Sequence, residues 1–200
     1  MYYSMMKSRI YPILCAFLGI AVLIVYGQVI GHEYLLYYDK QYVYQNQMVL
    51  RGVTPESIHW AFSTLYASNW HPVTWLSHML DQEIFGPNSR AQHLVNVLIH
   101  LLNSILLFTI LRKMTGSTWR SFAVGLMFAI HPIHVESVAW LAERKDVLSL
   151  FFGMLTIWSY LRFTVKPRVT TYLPVLIFFA LGLMAKPVLV TLPFILLLLD

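Results

Sequence analysis

Asp39 stands in Tyr37-Tyr38-Asp39-Lys40-Gln41-Tyr42-Val43, nine residues after an apolar run that ends at Ile30. A carboxylate this close to a membrane surface has the reach to deprotonate a hydroxyl presented beside a lipid head group. The alternative is a solvated loop acid paired with Lys40, a common state for an exposed charge. Glu136, Glu143, Arg144, Lys145 and Asp146 crowd a single turn between two later apolar runs. Charges there are costly unless paired or wetted. Arg144 and Lys145 suit a phosphate, the first as a bidentate donor and the second as a point charge. The same residues also suit a self-neutralising interfacial ion cluster, and the sequence does not choose.

His93, Asn96, His100 and Asn103 recur at spacings of three, four and three, which puts them on one face of a helix. Such a stripe contacts substrate or glues helices together by hydrogen bonds, the second being the more frequent use. His78 with Asp81, and His131 with His134, have ligand-like i,i+3 spacing but no third and fourth ligand, so no metal site is assigned and a divalent ion has no support here. Lys186, between Ala185 and Pro187, either meets a phosphate or snorkels. No glycine loop for phosphates, dinucleotide fingerprint, nucleophile elbow or zincin motif is present.

The elements that must position these groups are membrane helices. Of 200 residues, 58% are hydrophobic and 12% charged, and the mean hydropathy is +0.63, too apolar for a soluble domain with about a quarter of its residues charged. The one cysteine, Cys15, excludes an intrachain disulfide and a cysteine zinc site. The net charge of +5 is scattered between apolar runs, which argues for lipid head groups and topology and against nucleic acid. Charge-poor runs predict spans at about 10–30, 94–111, 121–135, 147–161, 169–185 and 187–199, with a long outer loop at 31–93. One helix over both final runs would be about 46 Å long with Lys186-Pro187 in its middle, so two helices meeting near Lys186 are expected.

With the N-terminus cytoplasmic, Lys7, Arg9, Arg112, Lys113, Arg120, Arg162, Lys166 and Arg168 fall inside, and all acids but Asp200 fall outside, as the positive-inside rule expects. In the long loop, Pro72 and Gly86-Pro87 punctuate a helix over Pro72–Phe85. Trp75, Leu76, Met79, Leu80 and Ile84 lie on one side of it. It reads as an amphipathic helix in the interface, anchored by Trp60, Trp70 and Trp75. The fold class is an all-α polytopic membrane protein.

The stretch from His131 through His134, Glu136 and Trp140 to Ala142-Glu143-Arg144-Lys145-Asp146 resembles a signature of the membrane-embedded, TPR-containing O-mannosyltransferase-like proteins, a branch of the GT-C glycosyltransferase superfamily. So do Trp70-His71-Pro72 through Asp81, His93 through His100, and Ala185-Lys186-Pro187 through Phe194, in the family's order. The resemblance implies a GT-C-like helical bundle with catalytic acids in its first outer loop and a polyprenyl-phosphate-linked, mannose-like sugar as donor. It also implies that residues 1–200 are the N-terminal part of the membrane domain, with a C-terminal remainder including TPR repeats missing. One departure matters. The family's first loop presents two adjacent acids after a tyrosine, and aligned on Tyr42-Val43 and Asn46 those positions are Tyr38 and Asp39. If the base is the first acid, the chain is inactive or uses Glu33 or another carboxylate.

The mechanism expected from this resemblance needs one base, because a phosphate leaves as a stable anion. Asp39 would take the proton of an acceptor hydroxyl, on a protein or another molecule, as its oxygen attacks the anomeric carbon with inversion. Arg144 and Lys145 would stabilise the departing phosphate, with Glu136, His93, Asn96 and His100 orienting the site. His78, Asp81, Lys186 and Glu33 complete the candidates. The alternative function is a non-catalytic membrane scaffold with a C-terminal TPR protein-binding region. A transporter would want charges at mid-depth, whereas these gather near the surface. A bacterial inner membrane fits the compact loops better than an endoplasmic reticulum membrane.

Overall fold

The computed structural model describes residues 2–198, with side chains from Ile10 onward. The side chains of Lys7 and Arg9, and Leu199 and Asp200, lie outside the described residues. Within them the chain is helical, with no strand: α1 (Tyr2–Tyr26), α2 (Gln47–Leu50), α3 (Pro55–Ser63), α4 (Pro72–Phe85), α5 (Ser89–Thr115), α6 (Thr118–Ile130), α7 (Val135–Ala139), α8 (Arg144–Val165), α9 (Val169–Ala185) and α10 (Leu192–Leu197). Ile10–Gly31, Ser89–Thr115 and Leu141–Val165 are long and apolar enough to cross a bilayer. Thr118–Ile130 and Pro132–Ala139 together make a fourth such stretch, bent by 47°. The bend falls at His131-Pro132, where proline removes a backbone donor and holds the preceding residue extended. The protein is an all-α polytopic membrane protein.

The helices differ from the charge-free runs in instructive ways. α5 begins at Ser89, where Asn88 caps it by accepting from Ala91 N at 3.2 Å, and ends at Gly116, whose φ of 67° closes the helix. The whole His93–Asn103 stripe therefore lies on one continuous helix. α8 begins at Arg144, so the charged turn forms the mouth of a membrane helix. The run after Lys186 is broken into a tight turn over Pro187–Thr191 and the six-residue α10. Pro187–Leu197 spans less than the roughly 30 Å of a hydrocarbon core.

Leu14, Leu18, Val22 and Tyr26 form a ridge along α1 that packs with Val97, Phe108, Ala129, Val138 and Val147. The other side of α1 exposes Ile13, Phe17, Ile20 and Ile24, a lipid-facing surface. Close approach of helices needs glycine at two places: a Cβ at Gly125 would lie 3.1 Å from Phe108 Cβ, and one at Gly182 would lie 3.3 Å from Phe152 Cβ.

The long loop folds as a helical cap over one end of the bundle, around Tyr42, Val43, Val49, Ala61, Trp75, Met79, Leu141 and Ala142. Capping explains its short helices. Asn46 accepts from Met48 N and Val49 N at the start of α2, and Thr54 and Ser57 cap α3 reciprocally. α4 has the bounds that Pro72 and Gly86 dictate, but it does not lie on the membrane by way of Trp75. Trp75 is fully buried, stacked on Tyr42 at 4.7 Å, while Leu80, Ile84 and Phe85 are exposed. The polar side of α4 also faces inward: Thr74, His78 and Asp81 are buried, and Thr74 Oγ1 donates to Ala185 O at 3.0 Å. Stacking in the cap wins over interfacial anchoring because a fully buried indole removes more apolar surface from water.

His71 lies parallel to Tyr42 at 5.4 Å and tilted on Trp75 at 4.8 Å. Burial, helped by the charge of Lys145, holds its pKa down to about 4. The fold thus favours neutral His71, and its contribution is complete above the ordinary histidine range and lost as pH falls through about 6.5 towards 4. Thermal or chemical unfolding in detergent should show the wild type losing on the order of 3 kcal/mol more than His71→Phe between pH 7 and pH 4. Parallel acid limbs for the two proteins would exclude a buried neutral His71.

Candidate functional site

At the loop end of the bundle an open cavity of about 520 Å³ is lined by His32, Glu33, Tyr34, Leu35, His93, Val135, Glu136, Ala139 and Trp140. One wall is the extended segment after α1, a second is His93 in the second turn of α5, and the third is α7 with the residue that follows it. Glu136 and Trp140 are one helical turn apart, and Trp140 N donates to Glu136 O at 3.1 Å, so carboxylate and indole share a face. His93 is buried, with its ring against the Glu33 backbone and edge-on to His32 at 6.1 Å. Two carboxylates, an aromatic ring and an imidazole around a cavity this size suit a polyhydroxylated ligand. Glu33, Glu136 and His93 are brought together here; Trp140 and Tyr34 join them, missed in the sequence although the i,i+4 spacing of Glu136 and Trp140 was the signal for the first.

Asp39 is not in this cavity. It is fully buried, with Oδ2 accepting from Leu35 N at 3.0 Å and Oδ1 from Ala142 N at 3.0 Å. It is therefore neither a solvated acid nor a partner of Lys40. The two bonds tie the segment behind one cavity wall to the turn behind another. Burial pushes the Asp39 carboxyl up, and the two backbone donors pull it partly back. Tyr38, where the family resemblance expects an acid, leans on Trp140 at a ring distance of 5.7 Å.

Arg144 is also fully buried, and its guanidinium is occupied. Nε donates to Asn96 Oδ1 at 2.7 Å, Nη1 to Ser77 Oγ at 3.3 Å and to the Asp81 carboxylate, and Nη2 to Gln92 O at 2.9 Å. This replaces the phosphate-ligand role that the sequence suggests for Arg144, because no donor faces an open space. It also gives Asp81 an ionic partner in place of a metal. His78, fully buried beside it, is kept well below the ordinary histidine range by burial first and Arg144 second. The stripe on α5 works as helix glue: Asn96 Nδ2 donates to Val138 O at 3.3 Å, His100 Nε2 bonds Ala129 O at 3.0 Å, and Asn103 Nδ2 donates to Val147 O at 2.8 Å. His134 packs on Phe128 at 4.4 Å. Among the described residues no group of three or more His, Cys, Asp or Glu could hold a metal ion.

The remaining charges form a second cluster on the other side of the α7–α8 turn. Lys145 Nζ bonds Glu143 at 2.7 Å, and Lys186 Nζ pairs with Asp146 and lies 3.9 Å from Glu143. Below Lys186 and Asp146 an apolar cavity of about 480 Å³ runs between α8 and the Pro187–Leu197 segment, lined by Leu150, Met154, Leu189 and Leu192 among others. Ser137 Oγ donates to Asp146 Oδ2 at 3.2 Å, so the residue after Glu136 links the two cavities.

The family model described as dolichyl-phosphate-mannose-protein mannosyltransferase matches residues 72–199, which include Glu136, Arg144 and Lys186 but not Glu33 or Asp39. Protein O-mannosyl-transferase TMTC2 of Mus musculus and that of Homo sapiens are each 37% identical over 94 residues, 47% of this chain and 11% of the relative. Protein O-mannosyl-transferase TMTC1 of Mus musculus is 30% identical over 160 residues, 74% of this chain and 16% of the relative. The matched chain thus spans 11% to 16% of the length of these relatives. No solved structure matches.

Asp39 accepting two backbone donors predicts that Asp39→Asn destabilises the fold. An amide offers one acceptor and turns a donor towards the second N–H, at a cost of about 1–3 kcal/mol. Unfolding in detergent should show this loss at neutral pH. An Asn variant as stable as the wild type would contradict the tether.

Proposed function

Because the chain belongs to the dolichyl-phosphate-mannose-protein mannosyltransferase family, we propose that it supplies the catalytic end of a membrane-embedded glycosyltransferase. The reaction is transfer of a mannose-like sugar from a polyprenyl-phosphate donor to a hydroxyl acceptor, on a protein as in the relatives' names, with inversion at the anomeric carbon. The observation that carries this reading is the pair of cavities flanking the α7–α8 turn, one lined by the two carboxylates Glu33 and Glu136 and the other largely apolar with Lys186 and Asp146 at its edge. A lipid-linked sugar needs both. Its chain belongs in the apolar cavity between α8 and the Pro187–Leu197 segment, and its phosphate at Lys186, which shares Glu143 with Lys145.

Lys186 is held by acids in the resting protein, so a phosphate binds by displacing or sharing the Asp146 contact. This keeps an interfacial ammonium paired when no donor is present. The sugar then lies across the turn towards Trp140, with hydroxyls in reach of Glu33 and His93, and its leaving group needs no general acid. The arrangement also gives a role to the acid that remains of the expected pair: Asp39 fixes the cavity walls, acting through Leu35 and Ala142.

The test is sugar transfer by the full-length protein in membranes from a panel of polyprenyl-phosphate sugars to hydroxyl-bearing peptides. Transfer from a mannosyl donor is expected, and Lys186→Met should raise the KM for that donor about tenfold, the loss of one modest charge contact. Absence of transfer from every donor would overturn the reading in favour of a membrane scaffold.

A further inference from the structure

Eight acids are described, and the structure places each. Asp39 has both oxygens on backbone amides, Asp81 is taken by Arg144, Glu143 by Lys145, and Asp146 by Lys186 and Ser137. Glu83 accepts from Val53 N at 3.4 Å at the far edge of the cap. Among the described residues, Glu33, Glu56 and Glu136 are the acids left with neither an ion pair nor a side-chain hydrogen bond. Glu56 lies on α3, away from either cavity, whereas Glu33 and Glu136 both line the polar one. The buried imidazole of His93, held against the Glu33 backbone, lines the same cavity.

The two remaining acids differ in mounting. Glu33 sits on the extended segment after Gly31, outside any helix. Glu136 sits on α7, which is pinned from three directions: Asn96 Nδ2 holds Val138 O, Ser137 holds Asp146, and the Ala142 N–H beyond it is held by Asp39. A catalytic group must hold its position to within a fraction of an ångström, which a pinned helical residue does better than a loop residue. Glu136 and Lys186 line different cavities, joined through Ser137 and Asp146, so a base at Glu136 is separate from a phosphate at Lys186.

Resting on the glycosyltransferase reading above, we infer that Glu136 is the general base of this protein, taking the place of the loop acid whose position Tyr38 occupies. The acceptor oxygen forms its bond to the anomeric carbon while the bond from that carbon to the phosphate oxygen breaks. The bonding pair leaves with the phosphate, and the acceptor's proton passes to the Glu136 carboxylate. His93 and Trp140 orient the sugar.

The test uses the full-length protein in lipid nanodiscs with a polyprenyl-phosphate mannose donor and a hydroxyl-bearing peptide. Glu136→Gln should lower kcat at least 100-fold, the low end of what a general base supplies, with the donor KM within about threefold, since the lysine cluster is intact. Glu136→Ala should be rescued by added formate, a response that a merely structural role would not give. Glu56→Gln serves as the control and keeps wild-type activity. Wild-type transfer with Glu136→Gln equally active, or with Glu136→Ala unmoved by formate, overturns the assignment alone. Absence of transfer by the wild type overturns the reading and the assignment with it.

Discussion

A guanidinium buried at the mouth of a membrane helix is the constraint on which the rest of the structure depends. Arg144 opens α8 with no exposed surface, and an uncompensated charge there would be too costly to keep. Its acceptors come from two other elements: Asp81 and Ser77 on α4, and Asn96 and the Gln92 carbonyl on α5. Satisfying one side chain therefore docks the cap on the bundle. It also fixes the register of α4 so that its polar face turns inward and Trp75 enters the cap core.

From that clamp the site follows in steps. Asn96, held on one side by Arg144, donates on the other to Val138 and so places α7. The turn from α7 to α8 then carries Ala142 to Asp39, which draws the segment after α1 across to form the facing wall. The cavity between them is what remains when buried donors and acceptors have been matched. The exposed side of the same turn keeps its lysines paired with Glu143 and Asp146. Positive charge is thus stored beside an apolar cleft without an unpaired ammonium in the interface.

Much of this was legible in the sequence, and the part that was not has a common cause. The bounds of α4 follow from Pro72 and Gly86, and the four-residue stripe on α5 follows from helical periodicity, because both signals are local. The family resemblance, carried by the motifs from Trp70 onward, agrees with the family model over 72–199. What escaped were pairings across the chain: Asp39 with Ala142, 103 residues apart, and Arg144 with Asp81, 63 residues apart. An acid in a polar loop and an arginine in a charged turn both read as solvent-facing until the distant partner is placed. Trp75 misled for the same reason, since its stacking partner Tyr42 lies before two intervening helices. The span expected over 121–135 ran straight through Pro132, whereas the chain bends there by 47° and α7 packs against α5.

The Arg144–Asp81 clamp organises cap, bundle and cavity, and a double-mutant cycle on it is the most direct measurement. Equilibrium unfolding in detergent would compare the wild type with Arg144→Met, Asp81→Leu and the double variant. Each single change should cost about 3–5 kcal/mol, because it strands a buried charge. The double change should cost well under the sum, with a coupling of a few kcal/mol. Two single losses below about 1 kcal/mol that simply add would contradict it.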